Sequence, residues 1–300
     1  MVSIRQLEYL IGVAEEGHFG RAAERLNVSQ PTLSHQLKAL EERLGTALLD
    51  RAGRGVSVTP AGREIVDRAR AVLREVQELK HVAALAASGP LGRVRFGVSP
   101  TLGPYLMPQV IASLHRDVPD LKLLIREGIP DRQIGEIAHG GIDMILAPMP
   151  VRGEHLHVEH LFDEPLAVIA PPEHPFVKRD SIALGELAGA TFVTIDRRHN
   201  YHRAIERLCE RSGAVLMGDY EGTSLDSLRQ MVGSGVGLAL LPELYLRSEA
   251  SGKDMVRRLN IERWSERRSI AAVWRKNAAY ADVYAEIARR IADQARVELA

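Results

Sequence analysis

The sequence predicts a two-part chain: an N-terminal all-α winged helix-turn-helix with a long linker helix, then an α/β domain of two Rossmann-like subdomains. Three observations predict it. The first sixty residues break into short helical patterns separated by Gly17 and by Asn27-Val28-Ser29. From Thr59 to Ala87 the chain holds a helical apolar spacing without interruption. From Arg93 onward, short apolar runs alternate with amphipathic ones, the pattern of strands and crossover helices. A length of 300 residues suits two domains.

The opening helix, Arg5–Glu16, places Leu7, Leu10, Ile11 and Ala14 on one face and stops at Gly17. Gly20–Leu26 is a short second helix, whose Ala22 and Ala23 leave room for a close crossing. After a three-residue turn, Ser29 is a good N-cap, and Pro31 sits in the first turn, where a missing N–H costs little. The third helix then buries Leu33, Leu37, Leu40 and Leu44. Its other face carries Gln30, Thr32, Ser34, His35, Gln36 and Lys38, mostly short polar donors where a plain surface helix favours Glu and Lys. Such a face suits base edges and phosphates. The candidate DNA contacts are therefore Ser29, Gln30, Pro31, Thr32, Ser34, His35 and Lys38. Asp50–Val58 is a Gly-containing hairpin, a wing that brings Arg51 and Arg54 to the sugar–phosphate backbone.

Composition narrows the class. With 45% hydrophobic and 26% charged residues, the chain reads as globular. Formal net charge is +0. Within residues 1–59, Lys/Arg at 5, 21, 25, 38, 43, 51 and 54 balance Asp/Glu at 8, 15, 16, 24, 41, 42 and 50. DNA binding by such a head relies on a local patch and on dimerisation. A single cysteine excludes an intramolecular disulfide. With no signal-type apolar core near the start and no membrane-length apolar run, a cytoplasmic location is expected.

Thr59-Pro60 opens the linker helix, whose seam comprises Ile65, Val66, Ala69, Val72, Leu73, Val76, Leu79, Val82 and Ala83. A helix of about 28 residues extends about 42 Å, longer than a small winged head needs, so the seam predicts a homodimer.

The stretches R-A-A-E-R-L-N-V-S-Q-P-T-L-S at Arg21–Ser34, L-E-E-R-L-G at Leu40–Gly45, L-L-D-R from Leu48 and T-P-A-G up to Gly62 resemble the DNA-binding head of LysR-type transcriptional regulators. The resemblance runs through the rest of the chain. It implies a tetrameric bacterial protein that binds an interrupted dyad near a promoter, responds to a small-molecule effector and acts on RNA polymerase. The expected domains are a DNA-binding head at 1–59, a dimerisation helix at 60–87, a hinge at 88–92 and an effector-binding domain at 93–300.

In that last domain, strands are expected at Arg93–Val98, Leu121–Arg126, Asp143–Leu146, Leu166–Ile169, Thr191–Ile195, Ala214–Tyr220, Leu238–Leu241 and Ile270–Trp274. Helices are expected at Tyr105–His115, Asp131–His139, Tyr201–Ser212, Ser224–Gly233 and Ala279–Ala295. The alternation predicts parallel sheets. Two such units joined by crossing strands resemble a periplasmic-binding-protein fold. The crossings fall near Glu164-Pro165 and Glu266–Ser269, giving one subdomain at 93–164 plus 267–300 and another at 165–266. Ligands in such folds sit beyond strand carboxyl ends against helix N-termini, which selects Ser99, Thr101, Gly128, Ile129, His199, Asn200 and Thr223. The cluster from Arg197 to His202 favours an anionic effector.

Gly103–Pro108, Leu161–Leu166, Thr223–Val232 and Gly233–Pro242 look closest to the peroxide-sensing OxyR branch. That branch uses a reactive cysteine just after a histidine and a second cysteine on the following helix. Here Asn200 follows His199, Pro130 replaces a branch threonine, and only Cys209 remains, so loss of that chemistry is expected. Cys209 falls with Ile205 and Leu208 on an apolar helix face, where a thiol is usually inert; redox response through it is the alternative. A solute-binding receptor fits the second half alone but not the DNA-binding head. No nucleophile elbow, P-loop or dinucleotide fingerprint is present, so no enzyme activity or cofactor is expected. His155, His157 and His160, read as a loop, lack companion ligands, so no metal is expected.

Overall fold

A computed structural model describes residues 1–50, 56–87, 93–138, 140–248 and 255–300. The chain divides into two compact units, Met1–Ala84 and Leu85–Ala300.

The first unit contains α1 (Ile4–Glu16), α2 (Phe19–Arg25), α3 (Gln30–Leu44), β1 (Leu49–Asp50), β2 (Ser57–Val58) and most of α4 (Pro60–Ala87). A capping box closes the start of α1: Gln6 N donates to Ser3 Oγ, and Ser3 N to Gln6 Oε1, each at 3.2 Å. Gly17 ends α1 at φ 60°, a left-handed backbone that suits glycine. Asn27 takes φ 52° in the α2–α3 turn, a conformation asparagine tolerates better than most residues. Leu10, Val13, Ala22, Leu33, Leu37, Leu40 and Leu48 form the core. Leu44 departs from expectation. It is 37% exposed, because the last turn of α3 overruns the core before Gly45 ends it. β1 and β2 pair antiparallel, Leu49 opposite Val58 and Asp50 opposite Ser57. The wing tip with Arg51 and Arg54 lies outside the described residues, as does the 88–92 hinge. Val66 and Ala69 of α4 are buried against the head, whereas Val72 and Leu79 further along are 46% and 71% exposed.

The second unit runs β3 (Arg93–Val98), α5 (Gly103–Asp117), β4 (Lys122–Glu127), α6 (Pro130–Ala138), β5 (Met144–Pro148), β6 (Leu156–Ala170), β7 (Thr191–Ile195), α7 (Asn200–Ser212), β8 (Val215–Gly222), α8 (Leu225–Gly233), β9 (Ala239–Pro242), α9 (Glu243–Ser248), β10 (Arg257–Arg258), β11 (Arg267–Arg275) and α10 (Ala281–Leu299). The main sheet has the order β10-β6-β11-β5-β3-β4, with β9 also on β6. It is mixed, where the alternation predicts parallel sheets. β3 is parallel to β4 and β5, but β11 is antiparallel to β5 and β6, and β6 to β9 and β10. The strands that change hand are the ones passing between the two halves of the unit. β6 pairs with β11 through Pro165 and with β9 from Leu166, so one strand of 15 residues serves both halves. Phe96, Leu106, Trp274 and Ile287 cover one face of the first half-sheet, and Ile137, Ile145 and Ala271 the other. Beyond the crossing, Phe192, Ile205, Leu228, Leu240 and Tyr245 build a separate core.

The stretch read as a histidine-bearing loop is the first half of β6: His157 and His160 are strand residues, facing Glu159 and Asp163. Among the described residues, β11 is its only strand neighbour there, so polar side chains occupy partly solvated positions and blur the alternation. The six-residue helix α9 is too short to show a period.

Candidate functional site

In the head, sequence-local bonds set the outer face of α3. The Ser29 hydroxyl accepts from Thr32 N at 3.3 Å and contacts Thr32 Oγ1 at 2.7 Å, so Ser29 is engaged in capping. Pro31, Ser34, His35 and Lys38 follow one another at helical spacing along one stripe, flanked by Gln30 and Thr32. All are exposed except Ser34, which is half-buried. Gln36 belongs elsewhere: buried Gln6 of α1 donates from Nε2 to its backbone oxygen and to its Oε1, both at 3.2 Å. Gln6 thus fixes how α1 crosses α3. Its sequence signal is the capping-box spacing Ser3…Gln6.

Several basic side chains away from this stripe are tied down, on α1, on α2 and at the far end of α3. Arg25 bonds Glu15 and Glu16 at 2.7 and 3.0 Å, Arg5 bonds Glu8 at 2.7 Å, and Arg43 bonds the Met1 carbonyl at 2.8 Å. On the α3 stripe the cation is Lys38, whose 4.0 Å approach to Glu42 joins two well-exposed groups and is worth little. The charge of the head is therefore unevenly spread, with Glu8, Glu15 and Glu16 spent on arginines away from this stripe.

In the second unit, Ser99 and Thr101 follow β3, Gly128 and Ile129 follow β4, and His199 and Asn200 begin α7. Ser99 and Thr101 are buried and contact each other through their hydroxyls at 3.0 Å. They belong to a larger network. Arg268 of β11 donates to Thr101 Oγ1 and to the Thr101 carbonyl, both at 2.8 Å, and from Nε to Glu164 Oε2 at 2.7 Å. Glu164 Oε1 accepts from Leu244 N at 2.9 Å. The guanidinium lies 5.8 Å over the Tyr201 ring, and the Tyr201 hydroxyl donates to the Leu240 carbonyl. Glu164 is 0% exposed and Arg268 8%. Burial pushes the Glu164 carboxyl up, against the pull of Arg268 and the Leu244 N–H. The network ties both crossing strands to the end of β3, to α7 and to α9. Sequence reasoning missed this pair. Its signal was one opposite charge at the head of each apolar run, Glu164 before L-A-V-I-A and Arg268 before S-I-A-A-V-W.

The remaining predicted cleft residues differ in setting. Gly128 N donates to the Val98 carbonyl at 3.0 Å, and a Cβ at Gly128 would meet Gln133 Nε2 at 2.8 Å. Ile129 supplies the carbonyl that opens α6, accepting from Gln133 N at 3.1 Å. Thr223 is exposed, and the neighbouring Ser224 caps α8. His199 is half-buried, and burial lowers its imidazole below the ordinary histidine value. The basic cluster is internally neutralised: Arg197 bonds Glu221 at 3.0 Å, and Arg198 bonds Asp196 at 2.9 Å, holding that carboxyl well below the usual range. A cavity of about 320 Å³ opens where α7 faces the start of β11 and residues 148–150. Among the described residues, no group of three His, Cys, Asp or Glu could hold a metal ion, and no helix is long and apolar enough to cross a membrane.

Cys209 is buried on α7, and burial pushes its thiol up to about 11, with the Glu206 and Glu210 charges adding to the shift. Relative to an ordinary thiol at 9.0, that leaves about a hundredfold less thiolate at neutral pH. Iodoacetamide should therefore label the native chain at least about a hundredfold more slowly than the unfolded chain at pH 7. The native rate should keep rising with pH toward 11. Equal rates at pH 7 would restore a reactive thiol.

Residues 4–63 match the family described as bacterial regulatory helix-turn-helix protein, lysR family, and residues 87–295 match the LysR substrate binding domain. The chain is 37% identical over 290 residues to a hydrogen peroxide-inducible genes activator of Pectobacterium carotovorum, covering 97% of this chain and 96% of that one. It is 36% identical to the DNA-binding transcriptional dual regulator OxyR of Escherichia coli K12, over 97% of this chain and 95% of that one. A full-length OxyR variant from Pseudomonas aeruginosa superimposes with a TM-score of 0.65 at 30% identity, over 97% of this chain and 95% of that chain. The two-part match, the helix-turn-helix and the curled mixed sheet agree: the chain belongs to the LysR family of transcriptional regulators, with a DNA-binding head and an effector-binding domain.

Proposed function

We propose that this regulator reads promoter DNA by inserting the start of α3 into the major groove, with Gln30, Thr32, Ser34 and His35 at base edges and Lys38 at phosphate. Arg51 and Arg54 of the wing contact the backbone alongside. The observation that carries this reading is the exposed, polar stripe of α3 in a head where Arg5 and Arg25 are held by Glu8, Glu15 and Glu16, away from that stripe. Val72 and Leu79, exposed along α4, give two copies a seam on which to pair, so that two heads span an interrupted dyad. The assembled form is a cytoplasmic tetramer that acts on RNA polymerase and has no enzymatic activity.

The signal is a small-molecule effector in the second unit. Peroxide is the signal named for the relatives. The reading departs from them because Asn200 follows His199 and a lone buried Cys209 has no thiol partner within the chain. Effector binding shifts the two halves of the unit, and with them the spacing of the heads.

Gln30→Ala and His35→Ala should each weaken operator binding by roughly tenfold to a hundredfold, at about 1–3 kcal/mol per lost base contact, while random DNA is bound nearly as before. Equal losses on both DNAs, measured by gel shift at fixed salt, would remove these side chains from base reading. Arg51→Ala should weaken both DNAs alike and flatten the salt dependence.

A further inference from the structure

Leu7, Leu10 and Ile11 of α1 share one core with Leu33, Leu37 and Leu40 of α3, and apolar contacts of this kind have no preferred direction. Gln6 lies among them, 2% exposed, and its amide is used to capacity. The nitrogen donates to the Gln36 carbonyl and to Gln36 Oε1, both at 3.2 Å. The oxygen accepts from Ser3 N at 3.2 Å and from Arg43 Nη1 at 3.1 Å. Two donors and two acceptor sites are all that a glutamine amide has. Turned over, the amide would point its N–H groups at the Ser3 and Arg43 donors, so only one setting satisfies it.

Gln36 and Arg43 stand two turns apart on α3, about 10 Å along its axis. Held at both points, the helix can neither roll nor slide along α1 without breaking a directed bond. The anchored carbonyl belongs to the residue after His35, so the pin sits at the level of the reading stripe. A buried polar side chain between helices fixes register at a cost in stability. The leucines decide that α3 packs, and Gln6 decides where. Base reading depends on the second. Hydrogen bonds to base edges hold only over about 2.7–3.2 Å, so a shift of about 1 Å in α3 breaks them. A phosphate contact through the flexible stem of Lys38 follows such a shift.

We propose that Gln6 is a positioning residue for sequence recognition: it sets the roll and slide of α3, and through them the bases the stripe meets, while touching no DNA itself. The inference rests on the reading of α3 as the base-reading helix and adds a residue beneath it that decides specificity.

The test compares two DNAs bound by the full chain at fixed salt: a duplex that the wild type selects from a random pool, and the unselected pool. Gln6→Met keeps the length and volume of the side chain but forms none of the amide's bonds. It should bind the selected duplex roughly tenfold more weakly, and the pool within about twofold of wild type. A new selection with Gln6→Met should return a more degenerate set of sequences. Gln6→Glu is the second variant. Its carboxylate still accepts from Ser3 N and Arg43 but cannot donate to the Gln36 carbonyl, so its preference should fall too. Hydrogen exchange across α1–α3 shows which variant keeps the head folded, and the preference is read from that one. Unchanged preference overturns the proposal. So does equal loss on both DNAs, or loss of exchange protection in both variants, since either makes Gln6 a purely structural residue. Gln30→Ala and His35→Ala, run alongside, separate the inference from its foundation. If they lose preference and the Gln6 variants keep it, base reading by α3 stands and the positioning role falls. If they keep it, α3 does not read bases through these side chains and both ideas fall.

Discussion

Replacing Arg268 with alanine should destabilise the second unit by about 3–5 kcal/mol, because Glu164 is left buried without its partner and must stay uncompensated or take up a proton. The carboxylate is fully buried, and after the change it would keep one described donor, Leu244 N at 2.9 Å. The buried pair is not itself a large source of stability, since desolvation offsets much of its attraction. The double variant Glu164→Gln with Arg268→Gln should therefore recover a good part of the loss. The pH dependence has a definite sign. In Arg268→Ala the folded Glu164 carboxyl is raised further above its unfolded value, so the unfolded chain releases a proton the folded chain keeps. Stability then falls as pH rises above the ordinary glutamate range, and the difference from wild type shrinks as pH falls toward 4.5. Both tryptophans, Trp264 and Trp274, lie in this unit, so urea melts followed by fluorescence report on it alone. A loss below about 1 kcal/mol with no pH dependence would mean that water or a rearranged side chain solvates Glu164, and the network would lose its structural role.

How far the chain could be read without coordinates depended on whether a feature was local. Ser29, Pro31 and the leucines at 33, 37 and 40 announce α3 through capping and spacing, both properties of neighbouring residues. The turn at Asn27 and the stop at Gly17 are legible for the same reason. Leu44 shows the limit, since apolar spacing marks a face but not where the neighbouring helix ends. β6 shows another: in its first half β11 is its only described neighbour, so its residues look like those of a loop. The handedness of the sheet was illegible because pairing is decided between strands over a hundred residues apart, as between Glu164 and Arg268. The predicted cleft residues cluster at strand ends, but a rule about strand ends does not say which hydroxyls the protein uses on itself. Ser99 and Thr101 are used in that way.

In the head, Gly62→Ala should cost at least about 3 kcal/mol and abolish DNA binding, a larger effect than any single base-contact variant. A Cβ at Gly62 would lie 2.0 Å from the Leu48 carbonyl oxygen and 2.8 Å from Val58 Cγ1. The oxygen is backbone and cannot swing aside. It also accepts from Thr59 N at 3.0 Å, while Thr59 Oγ1 accepts from Gly62 N at 2.9 Å and donates to Ala47 O at 2.8 Å. Moving Leu48, a fully buried core residue, therefore undoes the cap of α4 and the pairing of β1 with β2 together. Operator and random DNA should be lost alike, because the change removes the platform under the wing and not a base contact. Hydrogen exchange should rise across α1–α3 while the tryptophan-reported melt of the second unit stays in place. Gly135→Ala is the matched control. Its added methyl meets no atom within 4 Å, so it should stabilise α6 by about 0.5–1 kcal/mol and leave DNA binding unchanged. Normal DNA affinity in Gly62→Ala would mean that α4 and the wing can separate without harm. The head would then read DNA through α3 alone, and the expected weakening from Arg51→Ala would fail with it.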